Sequence, residues 1–138
     1  MKKLIIGTLL VLLPIICFSQ SSQEVWNEII KDSIKYPEIV FKQYIYETGW
    51  GKSNYCKIRH NLFGFQGSSG YMYFNTWQES ILYYKKWQDR HYKGGNYEKF
   101  LVDVNYATGW NYVYELRKIK LPQYCYYGRE ENRISGCQ

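Results

Sequence analysis

The stretch YIYETGWGKSNYCKIRHNLFGF, residues 44–65, holds one acidic residue, Glu47, beside Ile45, Tyr46 and Trp50 and just before a glycine-rich bend. A carboxylate among apolar neighbours costs free energy unless it is paired, hydrogen-bonded or protonated. Upstream, Val40, Phe41, Tyr44 and Ile45 recur at helical spacing behind Pro37, which suits a first helical turn. A helix is therefore predicted from Pro37 until Gly49 ends it, with Glu47 in its last turn. There the helix dipole disfavours negative charge and the aromatic neighbours exclude water, so both raise the pKa of the carboxyl group. A carboxyl that keeps its proton near neutrality can give it to a leaving oxygen, the general acid's task in breaking a glycosidic bond. The competing reading is structural: Glu47 caps the bend through backbone N–H groups or pairs with Lys52, and most acidic residues perturb nothing catalytic.

Outward from this stretch the chain reads as helical. Ser21 to Glu24 is a capping-box pattern ahead of Trp26, Ile29, Ile30 and Ile34, predicting a first helix to about Lys35. Between Thr48 and Asn75 the pattern breaks into Gly, Ser and Asn, predicting loop with a short hairpin through Tyr71 to Phe74. Thr76 to Glu79 repeats the capping pattern before Ile81, Tyr84, Trp87 and His91. Tyr97, Phe100, Leu101 and Val104 signal another helix after Gly94-Gly95. A last one, starting near Thr108 or Asn111, carries Tyr112, Leu116 and Ile119 until Pro122. Five helices around one long glycine-punctuated connection predict a mainly α (α+β) domain with a reduced β-lobe or irregular insert after Glu47. The tail is expected to be irregular.

Met1-Lys2-Lys3, the apolar run Leu4 to Ile16 and the small Ser19 read as a signal peptide over residues 1–19, too short to span a membrane comfortably. Acylation at Cys17 is the less favoured reading, because Ile16 stands where such sites want a small residue. Residues 20–138 then form one domain of ordinary size, secreted or periplasmic, without stable membrane insertion and monomeric. Without Lys2 and Lys3 the formal charge falls from +6 to +4, a mild basic excess compatible with anionic surroundings. No basic stripe interleaves with aromatics in a nucleic-acid motif, so nucleic acid is not an expected partner. Of Cys56, Cys125 and Cys137, either Cys125 with Cys137 or Cys56 with Cys125 can pair in an oxidising compartment, leaving one thiol over. Their spacing fits no zinc pattern, and with two histidines, His60 and His91, a zinc amidase is poorly supported. Cys56 beside His60 invites a cysteine-peptidase reading, but such pairs usually come from distant positions.

Glu47-Thr48-Gly49-Trp50-Gly51-Lys52-Ser53, followed by Asn61-Leu62-Phe63-Gly64, resembles the signature of the glucosaminidase family of peptidoglycan hydrolases, glycoside hydrolase family 73, in the lysozyme-like superfamily. Tyr106-Ala107-Thr108 with Asn111-Tyr112 resembles that family's second motif, Tyr-Ala-Thr-Asp-Pro-x-Tyr. The resemblance spans about residues 24–119. It implies a compact lysozyme-like fold, Glu47 as catalytic acid, and Tyr106 lining the cleft opposite. It implies peptidoglycan glycan strands as partner, and no metal or organic cofactor is required by this chemistry.

The sequence departs from the family in two places. Gly109-Trp110 replaces the usual Asp-Pro, and from Gln66 to Gln78, where many members carry a lobe with a second acid, there is no Asp or Glu. Glu79, Asp89, Glu98 and Asp103 lie on predicted helices. The expected mechanism is therefore protonation by Glu47 with attack by the substrate's own 2-acetamido group, oriented by Tyr106. Trp50, Asn61, Phe63, Gly64, Phe65, Tyr71 and Tyr73 are candidate substrate contacts. Asn61 serves equally as a loop anchor, and Gly64 permits either close approach of sugar or a bend. Trp26, Trp77 and Trp87 are expected in the core. Muramidase, lytic transglycosylase and an inactive wall-binding or inhibitor protein are the alternative functions.

Overall fold

The computed structural model describes residues 20–107, 109 and 111–126. The expected signal segment, Cys17, Thr108, Trp110 and Cys137 lie outside them. Among the described residues, six helices, a further helical turn and one small hairpin make up the fold, which is mainly helical as the sequence predicts. Among the described residues, no helix is long and apolar enough to cross a membrane.

Helix α1, Ser22–Lys31, begins at Ser21, whose backbone N–H donates to Glu24 Oε2 at 2.7 Å while Ser21 Oγ accepts from Glu24 N at 3.2 Å. It ends before the predicted Lys35. Ser33 adopts a left-handed φ of 54°, and Ile34 N–H turns back to the Ile29 carbonyl at 3.2 Å. Helix α2, Pro37–Thr48, opens on its proline and closes on Gly49 at φ 55°, as predicted. It buries Val40, Phe41, Tyr44 and Ile45 and packs against both α1 and the last helix.

The connection after α2 holds a helix that hydrophobic periodicity does not reveal. Helix α3, Asn54–Arg59, is a short element started by Ser53, whose Oγ accepts from Cys56 N at 3.1 Å, and buries only Cys56. The hairpin, β1 Gln66–Gly67 and β2 Gly70–Tyr71, pairs Gln66 with Tyr71 and Gly67 with Gly70. It lies earlier than predicted. Tyr71 to Phe74 instead form its exit, in which Met72 N–H donates to Phe65 O and Phe74 N–H to Arg59 O, both at 2.9 Å.

Helix α4, Trp77–His91, starts at Thr76, and α5, Tyr97–Asp103, at Asn96. Helix α6, Tyr112–Lys118, stops at Ile119, short of Pro122, and residues 124–126 make one further helical turn. The core joins α1, α2, α4, α5 and α6 through residues such as Ile29, Phe41, Tyr44, Phe63, Ile81, Tyr84, Leu101 and Leu116. Trp26 is buried and Trp77 and Trp87 pack partly buried against it. Of the two expected disulfide pairings, Cys125 with Cys137 lies outside the described residues. Cys56 and Cys125, the other, are both buried free thiols. Each is already enclosed by the core, and the thiol of Cys56 accepts from Gln20 Nε2 at 3.4 Å.

Candidate functional site

The bend after α2 aims Glu47 into a cavity. Thr48 Oγ1 donates to the Tyr44 carbonyl at 2.6 Å and accepts from Gly51 N at 2.7 Å, closing a turn in which Gly49, Trp50 and Gly51 all have positive φ. A Cβ on Gly51 would stand 2.8 Å from the Tyr44 hydroxyl, so this turn admits only glycine there without rearrangement. The bend feeds the chain into α3, which forms the far wall. Glu47, Ser53, Tyr55, Cys56, Arg59, Asn61, Gly64 and Tyr71 enclose about 300 Å³.

A second depression of about 340 Å³ adjoins it, lined by Phe63, Gly64, Phe65, Gln66, Trp87, Val104, Asn105 and Tyr106. Gly64 belongs to both and has φ 67°; a Cβ there would lie 3.1 Å from Glu47 Oε2. The two depressions thus meet at Gly64, beside the Glu47 carboxyl group.

Burial holds the Glu47 carboxyl above the ordinary glutamate range, and a hydrogen bond from Tyr112 pulls it part of the way back. Among the described residues, no other carboxylate lines either depression. The acids further along are engaged elsewhere: Glu79 Oε2 accepts from Asn75 N at 3.0 Å, Asp89 pairs with Lys85, Glu98 with Arg117 and Asp103 with Lys99.

Tyr112 and Gln43 are the residues that sequence reasoning missed. Gln43, fully buried one turn before Glu47, donates from Nε2 to Tyr112 Oη at 3.2 Å. The Gln43 Oε1 accepts from Tyr84 Oη at 2.6 Å, and Tyr84 Oη meets Tyr97 Oη at 2.7 Å. Tyr97 Oη accepts from Gln88 Nε2 at 2.8 Å, while Gln88 Oε1 accepts from the Lys35 backbone N–H at 2.8 Å. A backbone N–H can only donate, so it fixes the Gln88 amide and with it the direction of every bond that follows. The row ends at Tyr112, whose hydrogen bond to Glu47 favours the ionised carboxyl. A buried polar residue at i−4 from Glu47, in an otherwise apolar helix face, was the sequence signal available.

Tyr106 lines the second depression. Its hydroxyl donates to the Phe63 carbonyl at 2.9 Å, and its ring stacks on Tyr112 with centroids 5.9 Å apart. Burial pushes its pKa well up, with the Glu47 charge among the further causes, so it stays a neutral phenol. Asn61 is the loop anchor: Nδ2 donates to Phe65 O at 2.8 Å and Met72 O at 3.1 Å, while Oδ1 accepts from Phe65 N at 3.1 Å. Phe63 is a core residue, 1% exposed, with its ring 4.6 Å from that of Tyr84. Phe65 and Tyr71 line the depressions. Trp50 and Tyr73 line neither: the left-handed bend carries the Trp50 ring outward, and Tyr73 sits on the hairpin exit against His60.

The cysteine-peptidase reading gains no support. His60 Nδ1 engages the Phe74 carbonyl at 2.9 Å, and burial pushes the Cys56 thiol up, away from the reactive thiolate. The two depressions thus hold, among the described residues, one half-buried carboxyl with aromatic rings along them. No curated protein and no solved structure matches the chain significantly. The family model for glucosaminidase, described as mannosyl-glycoprotein endo-beta-N-acetylglucosaminidase, matches residues 23–121, from the first helix to the end of the last, and the chain belongs to that family of glycoside hydrolases.

Proposed function

We propose that the protein is an exported peptidoglycan hydrolase that cleaves the β-1,4 bond after N-acetylglucosamine, with Glu47 as its general acid. The observation that carries this reading is the half-buried Glu47 carboxyl, held above its ordinary range, at the junction of two depressions that, among the described residues, contain no second carboxylate. Its proton passes to the glycosidic oxygen as the C1–O bond breaks and the bonding pair leaves with that oxygen. With no carboxylate nucleophile at hand, the carbonyl oxygen of the 2-acetamido group closes onto C1. Tyr106, its own proton committed to the Phe63 carbonyl, has lone pairs left to accept the acetamido N–H and orient that oxygen. Water then adds to C1, opens the ring, and returns a proton to Glu47. The segment Met1 to Ser19 directs export, and the enzyme acts as a monomer on glycan strands.

Digestion of purified peptidoglycan tests the assignment through the new chain ends seen by mass spectrometry. Reducing N-acetylglucosamine supports it; reducing N-acetylmuramic acid would mean a muramidase, and the anhydro form a lytic transglycosylase. Equal cleavage of a substrate whose acetamido group is replaced by hydroxyl would overturn the assisted mechanism. Lysis by the unmodified protein but not by Glu47→Gln, with wall binding retained, separates the enzyme from a binder.

A further inference from the structure

Arg59 is a charge in the cavity that the cleavage chemistry does not use. It closes α3, is half-buried, and lines the same space as Glu47. One donor, Nη1, bonds the Tyr71 carbonyl at 2.8 Å, and the Tyr55 ring lies 6.0 Å from the guanidinium carbon. These contacts tether the group without neutralising it. Among the described residues, the ion pairs engage Lys31, Lys85, Lys99, Arg117 and Lys118, and none engages Arg59. Nor is Glu47 its counter-ion, since burial and Tyr112 account for the state of that carboxyl. A guanidinium has five N–H donors in a planar fork that fits a carboxylate through two parallel bonds, and four are left here. Tyr55 and Tyr71, with ring centroids 5.7 Å apart and planes inclined at 44°, stand beside it as two aromatic faces for a sugar ring.

We propose that the α3 side of the cavity is a subsite for a carboxylate-bearing sugar, with Arg59 gripping the carboxylate on the lactyl arm of an N-acetylmuramoyl unit or on the peptide that extends that arm. The proposal rests on the reading of a peptidoglycan-type glycan running past Glu47. It makes Arg59 the residue that distinguishes this polymer from a plain N-acetylglucosamine polymer, which has no anion to offer.

The experiment compares Arg59→Gln, which keeps an N–H donor for the Tyr71 carbonyl, with the unmodified protein on three glycans. These are peptide-bearing peptidoglycan strands, strands stripped of peptide so that the lactyl carboxylate is free, and chitin oligosaccharides. The ratio of kcat/KM on muramoyl strands to that on chitin is expected to fall about 10- to 100-fold, the range of one charge-assisted hydrogen-bonded pair. A fall on stripped strands assigns the lactyl carboxylate, and a fall on peptide-bearing strands alone assigns the peptide. An unchanged ratio overturns the proposal. The same ratio is read as binding affinity in the Glu47→Gln background, where no hydrolysis is needed. Failure of the cleavage reading would leave this binding ratio intact, whereas failure of the Arg59 subsite abolishes the difference between variants in both assays.

Discussion

Replacing Tyr112 by Phe removes one oxygen from the point where the buried polar row meets the carboxyl group. The ring keeps its stacking on Tyr106 and its edge contact with Tyr46, at centroid separations of 5.9 and 5.3 Å. Two losses follow. Gln43 Nε2, fully buried, loses the acceptor it has at 3.2 Å, and leaving such a donor unpaired costs about 1–3 kcal/mol of stability. Glu47 loses the donor that favours its ionised form, so its proton is held more tightly still. A hydrogen bond of about 1.4 kcal/mol corresponds to a tenfold change in protonation, so the alkaline limb of kcat/KM against pH should move upward by about one pH unit. The maximal rate should fall several-fold as the carboxyl group loses its orientation. Turnover of a soluble glycan across pH, together with urea unfolding of both proteins, reads all three. An alkaline limb that stays in place or moves to lower pH would refute the role given to Tyr112 as donor to the ionised carboxyl group.

Glu47→Gln should abolish turnover and change stability in a pH-dependent direction. Because burial raises the folded-state pKa above its unfolded value, the folded chain binds the proton more tightly, and stability falls as pH rises from the unfolded value through the folded one. The Gln variant escapes that fall, so urea midpoints should show it gaining on the parent as pH rises above the unfolded glutamate value of about 4, never losing. Gly64→Ala places a Cβ 3.1 Å from Glu47 Oε2 on a backbone at φ 67°. It should cost about 1–2 kcal/mol in unfolding measurements and lower kcat/KM by more than that loss of folded protein explains. Asn61→Ala removes the bonds that Asn61 makes to the Phe65 and Met72 carbonyls and to the Phe65 N–H. It should destabilise by about 1–3 kcal/mol and raise amide exchange in the hairpin segment, which would stay protected if Asn61 were only a substrate ligand.

How far the sequence foretold this arrangement depends on which signal each element emits. Helices α1, α2 and α4 were legible because capping residues, a first-turn proline or a terminal glycine flank a buried face several turns long. Helix α3 emits almost none: with Cys56 its only buried residue, it has no apolar period, and Ser53 as cap is indistinguishable from a loop serine. The shift of the hairpin has a similar cause. Gly67-Ser68-Ser69-Gly70 sets the turn, while the alternation from Tyr71 to Phe74 serves backbone bonds to Phe65 and Arg59 outside the ladder. Glu47 was legible as an anomaly, an acid in apolar company. Its partner was not, because Tyr112 also obeys the helical period of α6 and so passes for a core residue, which at 5% exposure it also is.

That double duty bears on why the site has so few acids. A catalytic carboxyl in a domain this small can be kept protonated by burial, but burial alone leaves it unable to return to the ionised form needed after the proton is given. The row from Lys35 through Gln88, Tyr97, Tyr84, Gln43 and Tyr112 supplies a fixed donor on one side, so burial and hydrogen bonding oppose each other at one atom group. A second carboxylate lining the cavity would add a like charge and push the Glu47 proton off less readily still. Lodging the positive Arg59 at the α3 wall instead leaves that opposition undisturbed while giving an anionic polymer something to hold.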